Sequence, residues 1–320
     1  MLRKWTIFLS LIIVLGLVGC SSDNKTESEA TVASTDNVSD KKQEMRTITH
    51  LGKEYEIPEK AERIVIVGAM ESFEDSLVLD LHPVGANTIG GEFPEVFTNV
   101  VKEAEPIGEK TEPNLDIILQ LKPDVILVST KFPDETKEKL KKLAPMVEIS
   151  HISTDGIDNL KTLADITGKK EEAEQAIEEY NQKLAKTKEE LSDLEDLNVL
   201  AIRIRGGELY VYPDDVFLNL VIYHEFGLPI PDVIKQAKAQ EAISLEKLSE
   251  VDPDVIFVQN AEAQNEDQLL KDVEDNPIWQ SLSAVKEDKV FVNTIDPILE
   301  GGPIYSRGLL LDAIKENLGE

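Results

Sequence analysis

The sequence predicts an α/β protein made of two Rossmann-like lobes joined by a single long helix. Three observations lead there. Short apolar runs of the kind buried in parallel sheets alternate with helix-spaced segments. A helix–Pro–strand unit occurs twice, 130 residues apart. Between the two copies lies a long Ala-, Glu-, Lys- and Leu-rich stretch without Gly or Pro.

The elements follow in chain order. Arg3 and Lys4 precede an almost wholly apolar run from Trp5 to Val18, which ends on Gly19-Cys20. That run is too short for a hydrocarbon core of ~30 Å, and residues 1–19 read as a secretory signal. Cys20 at the cleavage point marks a lipoprotein signal whose thiol is acylated. It is the only cysteine of the 320 residues, so no internal disulfide holds the fold. The rest of 20–44 is polar and reads as a disordered tether.

A first lobe is expected over 45–168. Arg46 to Pro58 alternates around Gly52 and predicts a β-hairpin. Arg63-Ile-Val-Ile-Val-Gly68 predicts a buried parallel strand. Glu71 to Leu81 has helical spacing, with Phe73, Leu77 and Leu81 on one face. Val84 to Thr88 and Val125 to Thr130 are further strands. The connecting helix is expected over 169–197, about 29 residues and ~44 Å, with Glu and Lys able to pair at i,i+4. Its apolar seam covers too few heptads for a coiled-coil dimer, so a monomer is expected. The second lobe is placed at 198–320.

The repeat aligns Leu115–Val128 with Leu245–Val258. From 122/252 to 128/258 five of seven positions are identical. Asn114 and Ser244 are matched N-caps. Asp116 and Glu246 fall at the second residue of each helix, where the positive helix end favours a carboxylate. Pro123 and Pro253 close the helices ahead of Val-Ile-x-Val strands.

Composition narrows the partners. Sixty-two acidic against 33 basic residues give a formal net charge of −29. Loss of Arg3 and Lys4 with the signal makes the chain two units more negative. That excludes nucleic acid as partner, which needs a basic surface. There is no Gly-x-Ser-x-Gly, no phosphate loop and no dinucleotide fingerprint, which argues against an enzyme. Gly90-Gly91, Gly206-Gly207 and Gly301-Gly302 read as turns. His50, His82, His151 and His224 are scattered as single surface or loop residues, without the spacing of a directly coordinated metal.

The cations are better placed. Ligands of α/β sheets bind beyond the carboxyl ends of the strands. Lys131 follows the strand 125–130. Lys110 lies in the loop before the first repeat helix, and its counterpart 130 residues on is Gln240, beside Lys238. Alternation in Val199 to Gly207 puts Arg203 and Arg205 on one strand face and Ile202 and Ile204 on the other. Both lobes thus offer cations to one cleft, which suits an anion.

Several stretches carry a family resemblance. They are Glu71-Ser-Phe-Glu-Asp75, Leu81 to Ala86, Gly108 to Asn114, Ser129 to Pro133, Ile202 to Arg205, Lys238 to Ser249, Asn276 to Trp279 and on to Asn293. Over about Ile48 to Leu318 the chain resembles the iron-siderophore substrate-binding lipoproteins of ABC importers, in particular those that take ferric bacillibactin or enterobactin. The resemblance implies the helical-backbone, class III periplasmic-binding-protein architecture. It implies a ferric tris-catecholate held by Lys110, Lys131 and Arg205, with Arg203, Lys238 and Gln240 nearby, and iron chelated by the siderophore alone. It implies docking of Asp116 and Glu246 onto an ABC permease with its ATPase. It also implies lipid anchoring through Cys20 on the extracytoplasmic face of a Gram-positive cell membrane. Asp116 stands where the family usually has Glu, and Gly206 where close relatives can carry an amide. A hydroxamate or citrate-type ferric siderophore is the alternative cargo. Haem, with Tyr210, Tyr212 or Tyr223 as axial ligand, is a more distant one.

Overall fold

The computed structural model describes residues 44–194, 196–206, 208–260 and 268–319. The signal, Cys20 and the tether up to residue 43 lie outside these. The described residues fall in one compact unit, Gln43–Glu320.

The hairpin forms first, from β1 (Met45–His50) and β2 (Lys53–Pro58). Its two-residue turn has positive φ at both Leu51 and Gly52, the backbone that matches strand twist in tight hairpins. The first half then runs β3 (Ile64–Val67), α1 (Met70–Leu79), β4 (Gly85–Thr88), α2 (Thr98–Val101), β5 (Glu105–Glu109), β6 (Glu112–Pro113), α3 (Leu115–Leu121), β7 (Val125–Ser129), α4 (Asp134–Leu140), β8 (Met146–Ile149) and α5 (Gly156–Thr167). Its six-stranded sheet has the order β6-β5-β4-β3-β7-β8 and is parallel except for β6.

After α6 (Lys170–Glu190) come β9 (Val199–Arg205), β10 (Glu208–Val211), α7 (Asp232–Gln236), β11 (Glu241–Ala242), α8 (Leu245–Val251), β12 (Val255–Asn260), α9 (Gln268–Glu274), α10 (Ser283–Lys286), β13 (Val290–Val292) and α11 (Ile304–Leu318). The second sheet is ordered β11-β10-β9-β12-β13, with β9, β12 and β13 parallel.

The repeat is structural. Asn114 Oδ1 accepts from the N–H groups of Asp116 and Ile117, and Ser244 Oγ accepts from that of Lys247. Each helix ends on a left-handed residue just before the proline, Lys122 at φ 48° and Asp252 at φ 42°. Asp124 Oδ2 then accepts from the N–H groups of Glu62 and Arg63, and Asp254 Oδ2 from that of Asn198. Each aspartate pins its own strand beside the neighbouring one.

Two expectations are corrected. The α6 helix stops at Glu190, seven residues short of Leu197. Ser192 and Asp193, both weak helix formers, enter a 3₁₀ turn over Ser192–Leu194. Leu191, Leu194 and Leu197 pack into the core there, which turns the chain inward towards β9. The second correction concerns α1. Its Met70–Ser76 stretch is buried on all sides, Glu71, Glu74 and Asp75 included, while Leu77 is only partly covered. The helix is wedged among α2, α5, α6 and α11, so it has no solvent face there.

One apolar core extends through both sheets, from Ile66 and Leu127 to Ile202 and Val258, by way of Leu160, Tyr180 and Leu310. A second cluster covers the other face of the first sheet. The α11 helix packs on α6 and on α1 of the first half, with Lys183–Asp312 and Lys315–Glu190 ion pairs at 2.6 Å each. Among the described residues no helix is long and apolar enough to cross a membrane.

Candidate functional site

The site begins at the carboxyl ends of β3, β4 and β5. Asn87, buried at the end of β4, accepts from Gly68 N–H at 2.5 Å through Oδ1. Through Nδ2 it donates to the carbonyls of Gly108 and Glu109. This amide fixes three strand ends and thereby the start of the Lys110 loop. Lys110 N–H donates to Thr88 O at 3.0 Å. Gly68 has φ 64°, and a Cβ there would meet the Phe132 ring at 2.3 Å and Lys110 O at 2.8 Å. Only glycine lets these two segments close over β3.

Lys110 and Lys131 line one pocket of about 120 Å3 with Gly68, Thr111, Ser129, Phe132 and Pro133. Lys131 is exposed and has no ion-pair partner among the described residues. Lys110 is paired with Glu300 Oε1 at 3.2 Å, a carboxylate from the segment between β13 and α11. The Glu300 side chain is only 15% exposed.

On the second lobe, Arg205 is exposed and donates to Gln240 Oε1 at 3.2 Å, and Tyr212 Oη donates to the same oxygen. Ile202 and Ile204 are buried on the opposite strand face. Arg203 is half-buried. Its guanidinium lies 4.1 Å from the centre of the Phe217 ring and donates to Pro297 O. Burial pushes its pKa below the usual arginine value, but a guanidinium stays protonated. Lys238 is exposed, and its backbone N–H is held by Glu241. Asp116 and Glu246 are exposed at the second position of α3 and α8. The Glu246 carboxyl sits below the usual range, held there by hydrogen bonds from its own backbone N–H and from Ser244.

Sequence reasoning missed an acidic floor. Glu71 and Glu74 are pushed up to about 8 each. Burial is the main cause; the Glu300 charge adds to it, while Lys131 and Lys110 pull Glu71 partly back. Glu74 accepts from the N–H of Glu300 at 2.8 Å and of Ser306 at 3.2 Å. Asp75 is raised well above its normal value by burial and by its two neighbours. His151 lies beyond the end of β8, with Nδ1 2.7 Å from Thr130 Oγ1. Burial and Lys131 push its pKa below 6.5. The i, i+3, i+4 spacing of Glu71, Glu74 and Asp75 was visible in the sequence, but among 62 acidic residues it did not stand out.

The histidine reading also needs correction. His50 is buried in β1, with Nε2 3.1 Å from Asn159 and Nδ1 2.9 Å from Thr162. Among the described residues no group of three or more His, Cys, Asp or Glu could hold a metal ion. The Tyr223 hydroxyl is buried and donates to Val199 O, which removes it as a haem ligand. Tyr210 pairs with Glu208.

Two sheets with ligand-facing strand ends, bridged by a helix and a shared core, define a class of solute receptor. The chain belongs to the periplasmic binding protein family, which matches residues 84–296, and has its class III architecture. It is 45% identical over 311 residues to the iron-uptake system-binding protein of Bacillus subtilis, covering 96% of each chain. It is similar to the crystal structure of the triscatecholate siderophore binding protein FeuA from Bacillus subtilis in complex with ferri-bacillibactin. There the identity is 46% and the TM-score 0.80, over 85% of this chain and 98% of that one. Staphylococcus aureus SirA complexed with staphyloferrin B, at 24% identity and TM-score 0.71 over 85% and 98% of the two chains, shares the fold.

Proposed function

We propose that this chain is the extracytoplasmic receptor of an ABC importer, capturing a ferric tris-catecholate siderophore between its lobes and delivering it to a permease. The observation that carries the reading is the pocket lined by Lys110 and Lys131 at the carboxyl ends of the first sheet. The relative solved with ferri-bacillibactin supports the cargo. A ferric tris-catecholate carries three negative charges. Each lysine within ~4 Å of them gains about 4 kcal/mol at an effective dielectric near 20, against about 1 in water. Arg205 and Gln240 supply the second lobe's contacts, with Lys238 at the rim, while Arg203 backs them from below. Iron arrives already chelated, so the protein provides donors to the ligand's oxygens and none to the metal.

Cys20 carries the lipid that keeps a monomeric receptor at the membrane. Asp116 and Glu246, one per lobe, dock onto the permease, whose ATPase drives transport. Trp279 is the only tryptophan after the signal, so its fluorescence can follow titration with ferric enterobactin. Saturable quenching at micromolar ligand or below is expected, with no competition from a ferric tris-hydroxamate. The Lys110→Ala/Lys131→Ala/Arg205→Ala variant should lose most of the affinity, about tenfold or more per cation. Absence of quenching in the wild type rejects the catecholate, and unchanged binding by the triple variant rejects the site.

A further inference from the structure

We propose that Glu300 is a displaceable counterion, an internal stand-in for the siderophore's negative charge that pairs with Lys110 in the empty cleft and must give way when cargo binds. The inference rests on the siderophore-binding reading and deepens it.

The geometry sets Glu300 apart from the chain's other acidic residues. Its carboxylate is 3.2 Å from Lys110 Nζ and largely shielded from solvent. Its backbone is held separately, because Glu74 Oε1 of α1 accepts the Glu300 N–H. Three residues earlier, Pro297 O accepts from Arg203 of the second lobe. The segment 297–300 therefore runs from the second lobe's arginine to the first lobe's lysine. The side chain can turn away from Lys110 without loosening this anchorage, since Glu74 grips the main chain.

The charges facing Glu300 come from every element around it. Lys110 lies in the β5–β6 loop, Lys131 after β7, His151 after β8, Arg203 on β9, and Glu71 and Glu74 on α1. The Glu300 charge acts on groups of both lobes: it raises Glu71 and opposes the downward shifts of His151 and Arg203. Glu300 is thus the ionised carboxylate that serves both Lys110 and Arg203, since Glu71 holds its proton at neutral pH. A trianion arriving at Lys110 takes over the role of Glu300. The charge of the trianion makes Glu71 hold its proton more tightly. Binding is accordingly coupled to proton uptake.

The test uses the mature full-length chain, with ferric enterobactin as probe, and the near-isosteric Glu300→Gln. Calorimetry at low salt should show about tenfold tighter binding by the variant. The gain should shrink at 1 M NaCl, where screening acts within ~3 Å. A merely structural glutamate would not move the salt dependence. Equal or weaker binding by Glu300→Gln, or a gain that persists in high salt, overturns the proposal while wild-type binding keeps the receptor reading intact. No binding by the wild type overturns both. Glu300→Ala is the second variant. Failure of both variants to fold, seen by circular dichroism, would make the ion pair structural and also overturn the proposal.

Discussion

At the residue scale the junction between the lobes depends on one buried arginine. Arg307 of α11 is 3% exposed and spends its donors on three partners. Nε donates to Gly302 O, Nη1 to Glu225 Oε1 at 2.6 Å and Nη2 to Ser153 O at 2.9 Å. Glu225 also accepts from Tyr180 of α6, whose pKa burial raises. The cluster ties the connecting helix, α11 and loops of both halves into one hydrogen-bonded unit, and it holds the segment that carries Glu300. Arg307→Met keeps the volume but leaves the Glu225 carboxylate, 18% exposed, without its cation, which costs up to about 3 kcal/mol. Urea denaturation should show the midpoint falling accordingly. Adding Glu225→Gln should recover part of the loss, because the orphaned charge is the larger penalty. No recovery would mean that the carbonyl contacts of Arg307 dominate instead.

At the element scale the helix–Pro–strand unit was legible because its determinants are local. A cap side chain, a left-handed terminal residue and a following proline act within about a dozen residues, and both copies obey them. The hairpin at Leu51-Gly52 was legible for the same reason. The end of α6 was not, because what stops it is the packing of Leu191, Leu194 and Leu197 against elements far away in sequence. Burial of α1 was hidden likewise, since its covering helices include α11, more than 200 residues later. The site follows the same division. The positions of Lys110, Lys131, Arg203 and Arg205 at or beside strand ends were legible locally, whereas the pairing of Glu300 with Lys110 arises only when the chain brings them together. The repeat also places Asp116 and Glu246 equivalently, exposed on short capped helices of the two lobes. Asp116→Ala and Glu246→Ala should therefore leave siderophore affinity within about twofold of wild type and lower cellular iron-siderophore uptake, the double variant most. Uptake of labelled ferric siderophore at unchanged protein level is the measurement, and full uptake by the double variant would remove the docking role.

At the scale of the whole molecule, the buried carboxylates on α1 set a pH dependence. Glu71 and Glu74 titrate near 8 in the folded chain, against 4.5 for the ordinary group. Glu74 receives two N–H donors that favour its charged form, yet complete burial outweighs them. Between these pH values the folded state holds more protons than the unfolded state. Their effect on stability is therefore neutral below 4.5, increasingly unfavourable as pH rises to 8, and constant above it. His50 works in the opposite sense, because burial lowers its pKa and acid below 6.5 weakens the fold. Two carboxylates outweigh one imidazole, so the net contribution of these three groups falls as pH rises from about 4.5 to 8. The Glu71→Gln/Glu74→Gln variant isolates the carboxylate contribution. Its stability relative to wild type should climb with pH between 5 and 8, by up to about 1.4 kcal/mol per pH unit for each group, in urea titrations at fixed salt. A difference independent of pH would mean that both carboxylates are already ionised in the fold. The same titration bears on cargo, because ionisation of Glu71 above pH 8 places a fixed negative charge beside Lys110 and Lys131. Affinity for a trianion should then fall with rising pH in the wild type and stay flat in Glu71→Gln.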